Sequence, residues 1–166
     1  MTFPGNVSNK AERLLALCRA RGLRVATAES CTGGLIAACL TEIAGSSDVV
    51  DRGFVTYSNE AKNDLLGVPE ELLVRVGAVS EEVARAMAEG ALERSNADLA
   101  VAVTGIAGPG GATDTKPVGL VHHACAGPDG AIVHRRVVYL GDRGGVRLAT
   151  VETALDMLID GAERRI

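Results

Sequence analysis

The sequence predicts an α/β fold: a single three-layer α/β/α domain with a mixed, mostly parallel sheet. Three observations lead there. Short apolar runs of strand type alternate with helical patterns along most of the chain. Two late strand-like segments, 118–126 and 131–140, are joined by Gly127-Pro128-Asp129-Gly130, which reads as a hairpin and puts at least one antiparallel pair in the sheet. The residues are 47% hydrophobic but only 2% aromatic, with no Trp, so the core is built from Leu, Val, Ile and Ala. Small side chains of this kind let helices and strands approach closely.

A chain of 166 residues is the size of one domain, expected here to span 1–166. At that size folding buries roughly two thirds of the unfolded surface, enough for a core without metals or disulfides. A helical pattern emerges from residues 6–9 with Ala11, Leu14, Leu15 and Cys18 on one face; Ser8 is its expected N-cap and Gly22 its stop. Residues 23–28 read as a strand, and a second helix is expected from about Thr32 to just before Gly45. Residues 49–58 read as the next strand, carrying Phe54, Val55 and Tyr57. Between 59 and 76 short helices are expected, broken at Gly67 and Pro69. Ser80 caps an amphipathic helix with Glu81 and Glu82 in its first turn and Val83, Met87 and Ala91 on its buried face. The continuous apolar run 99–103 is of buried-strand type and leads into a Gly/Pro-rich loop over 105–117. After the hairpin, a last helix runs from about 143 to 164.

The net charge of −4, and the lack of basic runs or spaced aromatics, argue against nucleic acid as a partner. No segment approaches the roughly 18 apolar residues that span a bilayer. The N-terminus, Met-Thr-Phe-Pro-Gly-Asn, lacks a basic stretch followed by an apolar run, so no secretory leader is expected. Cys18, Cys31, Cys39 and Cys125 show no paired spacing, consistent with a reduced cytoplasmic protein.

Four segments could carry chemistry. Ala28-Glu29-Ser30-Cys31-Thr32-Gly33-Gly34 lies between a strand and a helix, where backbone N–H groups converge. A hydroxyl there could attack a carbonyl while nearby amides hold the oxyanion; on local sequence alone the commoner reading is that Ser30 or Thr32 simply caps the helix. Cys31 is a rival nucleophile, but the His partner that such a cysteine needs would have to be one of His122, His123 and His134. Those three are read as structural or surface residues, the adjacent pair pointing to opposite faces of a strand. In Gly53-Phe54-Val55-Thr56-Tyr57-Ser58-Asn59-Glu60-Ala61-Lys62, a lysine in an apolar cleft could serve a serine as base, with Tyr57 relaying or orienting the proton. A solvated surface lysine is by far the commoner fate, and spacing alone does not overturn it. The glycine-rich stretch from Thr104 and Gly105 through Gly111 and Ala112 follows a buried strand, where ligands of open α/β sheets gather. It matches neither a P-loop nor a dinucleotide fingerprint. Last, Arg143 and Arg147 lie four apart at a helix start, an unfavourable place for cations that hints at a bound anion.

Six motifs occur in one order: Ala-Glu-Ser-Cys-Thr-Gly-Gly from Ala28, Gly-Phe-Val-Thr-Tyr-Ser-Asn-Glu-Ala-Lys from Gly53, Gly-Ala-Val-Ser from Gly77, Gly-Ile-Ala-Gly-Pro from Gly105, Lys-Pro-Val-Gly from Lys116, and Gly-Asp-Arg from Gly141. Together they resemble the CinA C-terminal domain family, and within it the stand-alone nicotinamide-nucleotide amidases, over nearly the whole chain. The resemblance implies hydrolysis of nicotinamide mononucleotide to nicotinate mononucleotide and ammonia, in pyridine-nucleotide salvage. It implies Ser30 as nucleophile, Lys62 as base and Tyr57 as an assisting hydroxyl, with Thr104 and an arginine of Gly-Asp-Arg in the site. On that basis a Ser/Lys acyl-enzyme is expected, with amides near Thr32, Gly33 and Gly34 holding the oxyanion. Thr104, Gly105, Arg143 and Arg147 would hold the substrate. Neither metal nor cofactor is expected, since the pair supplies both nucleophile and base. A small homo-oligomer is expected, a dimer favoured. The family's loop shows a variable residue and two glycines after its proline; here Gly110-Gly111-Ala112 departs from it, and Ala112 would be strained if positive φ were needed there. The N-terminal molybdopterin-binding-type domain of longer CinA proteins is not expected. An alternative from another class is a nucleotide-binding regulatory module without turnover, which leaves Lys62 and Tyr57 without purpose. A DNA-repair partner, suggested only by the family's name, is opposed by the acidic charge.

Overall fold

The computed structural model describes residues 3–164. Met1 and Thr2 of the N-terminus read above, and Arg165 and Ile166 at the end of the expected domain, lie outside the described residues. Five strands form one sheet: β1 (Val25–Glu29), β2 (Val50–Val55), β3 (Leu99–Gly105), β4 (Leu120–Ala126) and β5 (Ile132–Val138), in the order β2-β1-β3-β4-β5. β1 pairs parallel with both β2 and β3, whereas β3–β4 and β4–β5 are antiparallel. Four strands therefore run one way and β4 alone runs against them: the mixed sheet that the hairpin predicts.

Period-two alternation divides the core. Val25, Leu99, Val101, Val103, Val121 and Cys125 point to one face, into a cluster with Leu14, Leu15, Ile36, Val151 and Leu155. That face is covered by α1 (Gly5–Arg21), α2 (Leu35–Thr41) and α6 (Arg143–Glu163). The other face is nearly all alanine: Ala26, Ala28, Ala100, Ala102, Ala124 and Ala126. α5 (Glu81–Glu93) lies on it through Val83, Ala84, Met87, Ala88 and Ala91, flanked by α3 (Asn59–Leu66) and α4 (Glu70–Val76). Alanine on both surfaces lets α5 sit close. At Gly90 the approach is so tight that a Cβ would come within 2.0 Å of the Leu66 carbonyl oxygen.

Several boundaries follow from capping. Ser80 accepts from Val83 N–H and Asp142 from Gly145 N–H, as their positions predict. Gly22, at φ 64°, closes α1. The start of α1 differs from expectation: Pro4 is at the N-cap and Ser8 lies inside the helix. Pro4, at φ −54°, presets the chain for a helix one turn earlier than the serine suggests. A 3₁₀ turn at Ser46–Asp48, unread in the sequence, leads into β2.

Because β1, β2 and β3 are parallel, their carboxyl ends share one edge of the sheet. β5 runs in the same sense and delivers the chain to the start of α6 at that edge. Topology alone thus gathers the Ser30, Tyr57/Lys62, Thr104 and Arg143 motifs.

Candidate active site

Ser30 follows the last residue of β1, and its amide donates to Val103 O of β3 at 3.1 Å, which ties it to the sheet edge. The residue is 9% exposed, and its hydroxyl accepts a hydrogen bond from Lys62 Nζ at 3.0 Å. Lys62 lies on α3, which is capped by Ser58 accepting from Ala61 N–H. Lys62 and Leu66, one turn apart, form the buried face of this helix, so the lysine packs as a core residue, 1% exposed. Nζ also donates to Thr56 O at 2.8 Å and reaches Ser58 O at 3.5 Å. Among the described residues no carboxylate pairs with it. Burial therefore pushes the Lys62 ammonium below its ordinary pKa, with the nearby Cys31 thiol opposing weakly. A lysine without counter-ion, against a serine hydroxyl, has the geometry and electrostatics of a nucleophile and base.

Cys31, the rival in the same turn, is buried, and burial pushes its thiol up to about 11. Among the described residues no histidine bonds to it. His122 pairs with His134 at 3.0 Å, and His123 with the Tyr139 hydroxyl at 3.2 Å, which in turn donates to Thr153. Burial holds both His122 and His123 down to about 4. They form polar links within the fold, on β4.

The turn after Ser30 is not a serine- or threonine-capped helix start. Gly33 at φ 58° and Gly34 at φ 103° take left-handed backbone, so α2 begins only at Leu35, with Gly34 at its N-cap and no side chain of that residue to cap it. The cap comes from Glu29, which sequence reasoning missed. Its carboxylate is fully buried and accepts from Thr32 Oγ1 at 2.7 Å, Ile36 N–H at 2.8 Å and Ala37 N–H at 3.0 Å, with Thr27 Oγ1 at 3.3 Å. Gly33 N–H donates to Ser30 O, and Leu35 N–H to Thr32 O. The amides of Thr32 and Gly34 make no hydrogen bond within the described residues. The legible signal was an acid at the end of an otherwise apolar strand, directly before the turn.

The two arginines share a helix start but serve different neighbours. Arg143 donates to Gly108 O at 2.8 Å and to the Tyr57 hydroxyl at 3.0 Å, at the exposed mouth of the site. Tyr57, 61% exposed, makes its hydrogen bond to Arg143 and none to Lys62. Arg147, expected on substrate, turns instead to the protein backbone, donating to Cys31 O at 3.1 Å and Thr32 O at 2.9 Å. Thr104 is buried and donates to Ala78 O at 2.8 Å, so its hydroxyl ties β3 to the segment before α5. Gly105 is fixed by packing: a Cβ there would meet Leu120 O at 2.7 Å. In the glycine-rich loop, Gly108 and Gly111 take the positive φ angles and no non-glycine residue does, which removes the strain expected at Ala112.

The fold is that of an α/β protein with a serine–lysine pair at the carboxyl edge of a mixed five-stranded sheet. The model of the CinA C-terminal domain matches residues 7–161, and the chain belongs to that family. It is 53% identical over 144 residues to the nicotinamide-nucleotide amidohydrolase PncC of Enterobacter agglomerans, covering 84% of this chain and 88% of that protein. It is 54% identical to a CinA-like protein of Akkermansia muciniphila, but spans only 34% of that relative's length. Four further relatives, 50–57% identical, are likewise much longer, the match covering only 34–36% of each. The crystal structure of the competence/damage inducible protein CihA from Agrobacterium tumefaciens superposes with a TM-score of 0.95 at 58% identity, covering 96% of this chain and 98% of that one. No helix of the described residues is long and apolar enough to cross a membrane.

Proposed function

We propose that this protein hydrolyses the carboxamide of nicotinamide mononucleotide, giving nicotinate mononucleotide and ammonia, through a Ser30/Lys62 acyl-enzyme. The observation that carries the reading is the 3.0 Å contact between Ser30 Oγ and a buried lysine amine without counter-ion. The PncC relative supports the substrate.

In the neutral form Lys62 takes the proton of Ser30 as Oγ attacks the carboxamide carbon. The oxyanion is met by the free amides of the turn, of which Thr32 and Gly34 are the candidates. The lysine proton passes to the departing amide nitrogen, ammonia leaves, and an ester to Ser30 remains. Water then attacks that ester with Lys62 again as base, which frees the acid and restores the serine. Arg143 at the mouth takes the substrate phosphate, and Tyr57 orients that guanidinium. Thr104 and Gly105 shape the wall behind. The place of the reaction is the recycling of pyridine nucleotides, in the cytoplasm.

The test is ammonia release from nicotinamide mononucleotide by purified protein in the presence of a chelator. Sustained release supports the reading. Saturable nucleotide binding with no ammonia would overturn it in favour of a binding module.

A further inference from the structure

Every donor around the Glu29 carboxylate is accounted for, and together they define the shape of the nucleophile turn. A carboxylate offers only acceptors, and here its two oxygens meet four donors: the hydroxyls of Thr27 and Thr32 and the amides of Ile36 and Ala37. The first turn of α2 is thereby closed by the protein's own anion, so its amides are not open to a substrate phosphate or an oxyanion. The main chain of the same residue is also engaged. Glu29 O accepts from Thr56 N–H at 2.9 Å, and Thr56 O accepts from Lys62 Nζ at 2.8 Å. One residue therefore joins the turn that carries the nucleophile to the backbone that seats the base. Space is cleared for this arrangement: a Cβ on Gly53 would lie 2.9 Å from Thr27 Oγ1 and 3.1 Å from the Ala37 side chain.

Arg147 holds the turn from the other end. Its donors take the Cys31 and Thr32 carbonyls. In a trans peptide the carbonyl and the following N–H point opposite ways, so fixing Cys31 O turns the Thr32 N–H away from Arg147. The turn between the two clamps contains two glycines in left-handed backbone, the residues with the most conformational freedom to lose. Without the clamps that freedom returns to the segment next to Ser30.

We propose that Glu29 is a positioning residue for the hydrolysis, holding residues 30–37 in the arrangement that sets the Ser30 hydroxyl against Lys62, with Arg147 as its counter-clamp. The proposal rests on the Ser30/Lys62 reading above. It makes Arg147 a positioning group and not a substrate contact.

The experiment measures steady-state kcat and KM for nicotinamide mononucleotide, with thermal unfolding, for wild type, Glu29→Gln and Arg147→Ala. Glutamine keeps the size but turns an NH2 toward a backbone N–H, so one contact becomes a clash of donors. The expected result is a folded Glu29→Gln with kcat lower by about 100-fold and KM within about threefold, the scale of a small misplacement of reacting groups. Arg147→Ala should lower kcat by about tenfold with KM little changed. If Glu29→Gln folds and keeps wild-type kcat, the proposal is overturned. Should it fail to fold, Arg147→Ala decides: kcat retained, whether KM rises or stays, overturns the clamp, and a selective loss of kcat supports it. Wild type that releases no ammonia would overturn the amidase reading itself and this inference with it, whereas an active wild type with an unaffected Glu29→Gln overturns this inference alone.

Discussion

Lys62 Nζ lies 3.0 Å from Ser30 Oγ, and the two residues reach that distance from different elements, the end of β1 and α3. Ser30 is held by β1 and β3, and Lys62 is delivered by the buried face of a two-turn helix after β2. The lysine is seated by main-chain carbonyls, not by an acid, which leaves its proton the weakly held one in the site.

The pH dependence follows from that seating. Burial lowers the Lys62 pKa from its ordinary value near 10.5. The base must be neutral, so kcat should rise with pH through the lowered pKa and level off above it. The linked stability has the same sign. Between the lowered folded pKa and the ordinary unfolded one, the unfolded chain binds more protons, so native stability grows as pH rises. Relative to Lys62→Met, wild type should therefore gain thermal stability as pH rises toward the ordinary lysine value of 10.5. Lys62→Met should also lose at least about 1,000-fold in kcat.

Arg143 and Tyr57 act at the mouth. Arg143→Ala should raise KM for nicotinamide mononucleotide by about 30-fold, the value of a charged hydrogen bond of about 2 kcal/mol, and change kcat little. Turnover of the riboside, which has no phosphate, should be unaffected. Tyr57→Phe should follow the same pattern more weakly, because the lost hydroxyl accepts from Arg143 and not from Lys62. Comparing the two substrates on each variant checks this.

Gly90 couples the alanine face of the sheet to the helix that carries the base. Gly90→Ala places a Cβ about 2.0 Å from Leu66 O, so α5 and the end of α3 must separate. The expected cost is about 3 kcal/mol, lowering Tm by roughly 10 °C for a chain of this length. Calorimetry measures it directly, and activity at low temperature should fall as Lys62 shifts.

Most of the scaffold was readable because its signals are local. Ser80 and Asp142 cap their helices from positions that a sequence displays, and the 99–103 run is buried on both faces as its composition implies. The start of α1 was not, because Pro4 nucleates the helix through its backbone angle while Ser8 offers a more familiar capping pattern. In the site, Ser30 and Lys62 were legible through their motifs. The division of labour between Arg143 and Arg147 was not. Four residues apart on a helix, they face the same side, and only the tertiary arrangement sends one to Tyr57 and the other to the carbonyls of the turn. Glu29 was hidden for the same reason: its four donors come from three stretches, one in β1, one in the turn and one in α2.

The central claim is that Ser30, not its neighbour Cys31, attacks the amide. It is tested most directly by single-turnover ammonia release from nicotinamide mononucleotide with wild type, Ser30→Ala and Cys31→Ala. Cys31 is buried with its thiol raised to about 11, so at neutral pH it is protonated and unreactive. The account predicts a loss of at least about 1,000-fold for Ser30→Ala and a rate within about threefold of wild type for Cys31→Ala. Near-normal release by Ser30→Ala, with the activity lost in Cys31→Ala, would contradict it.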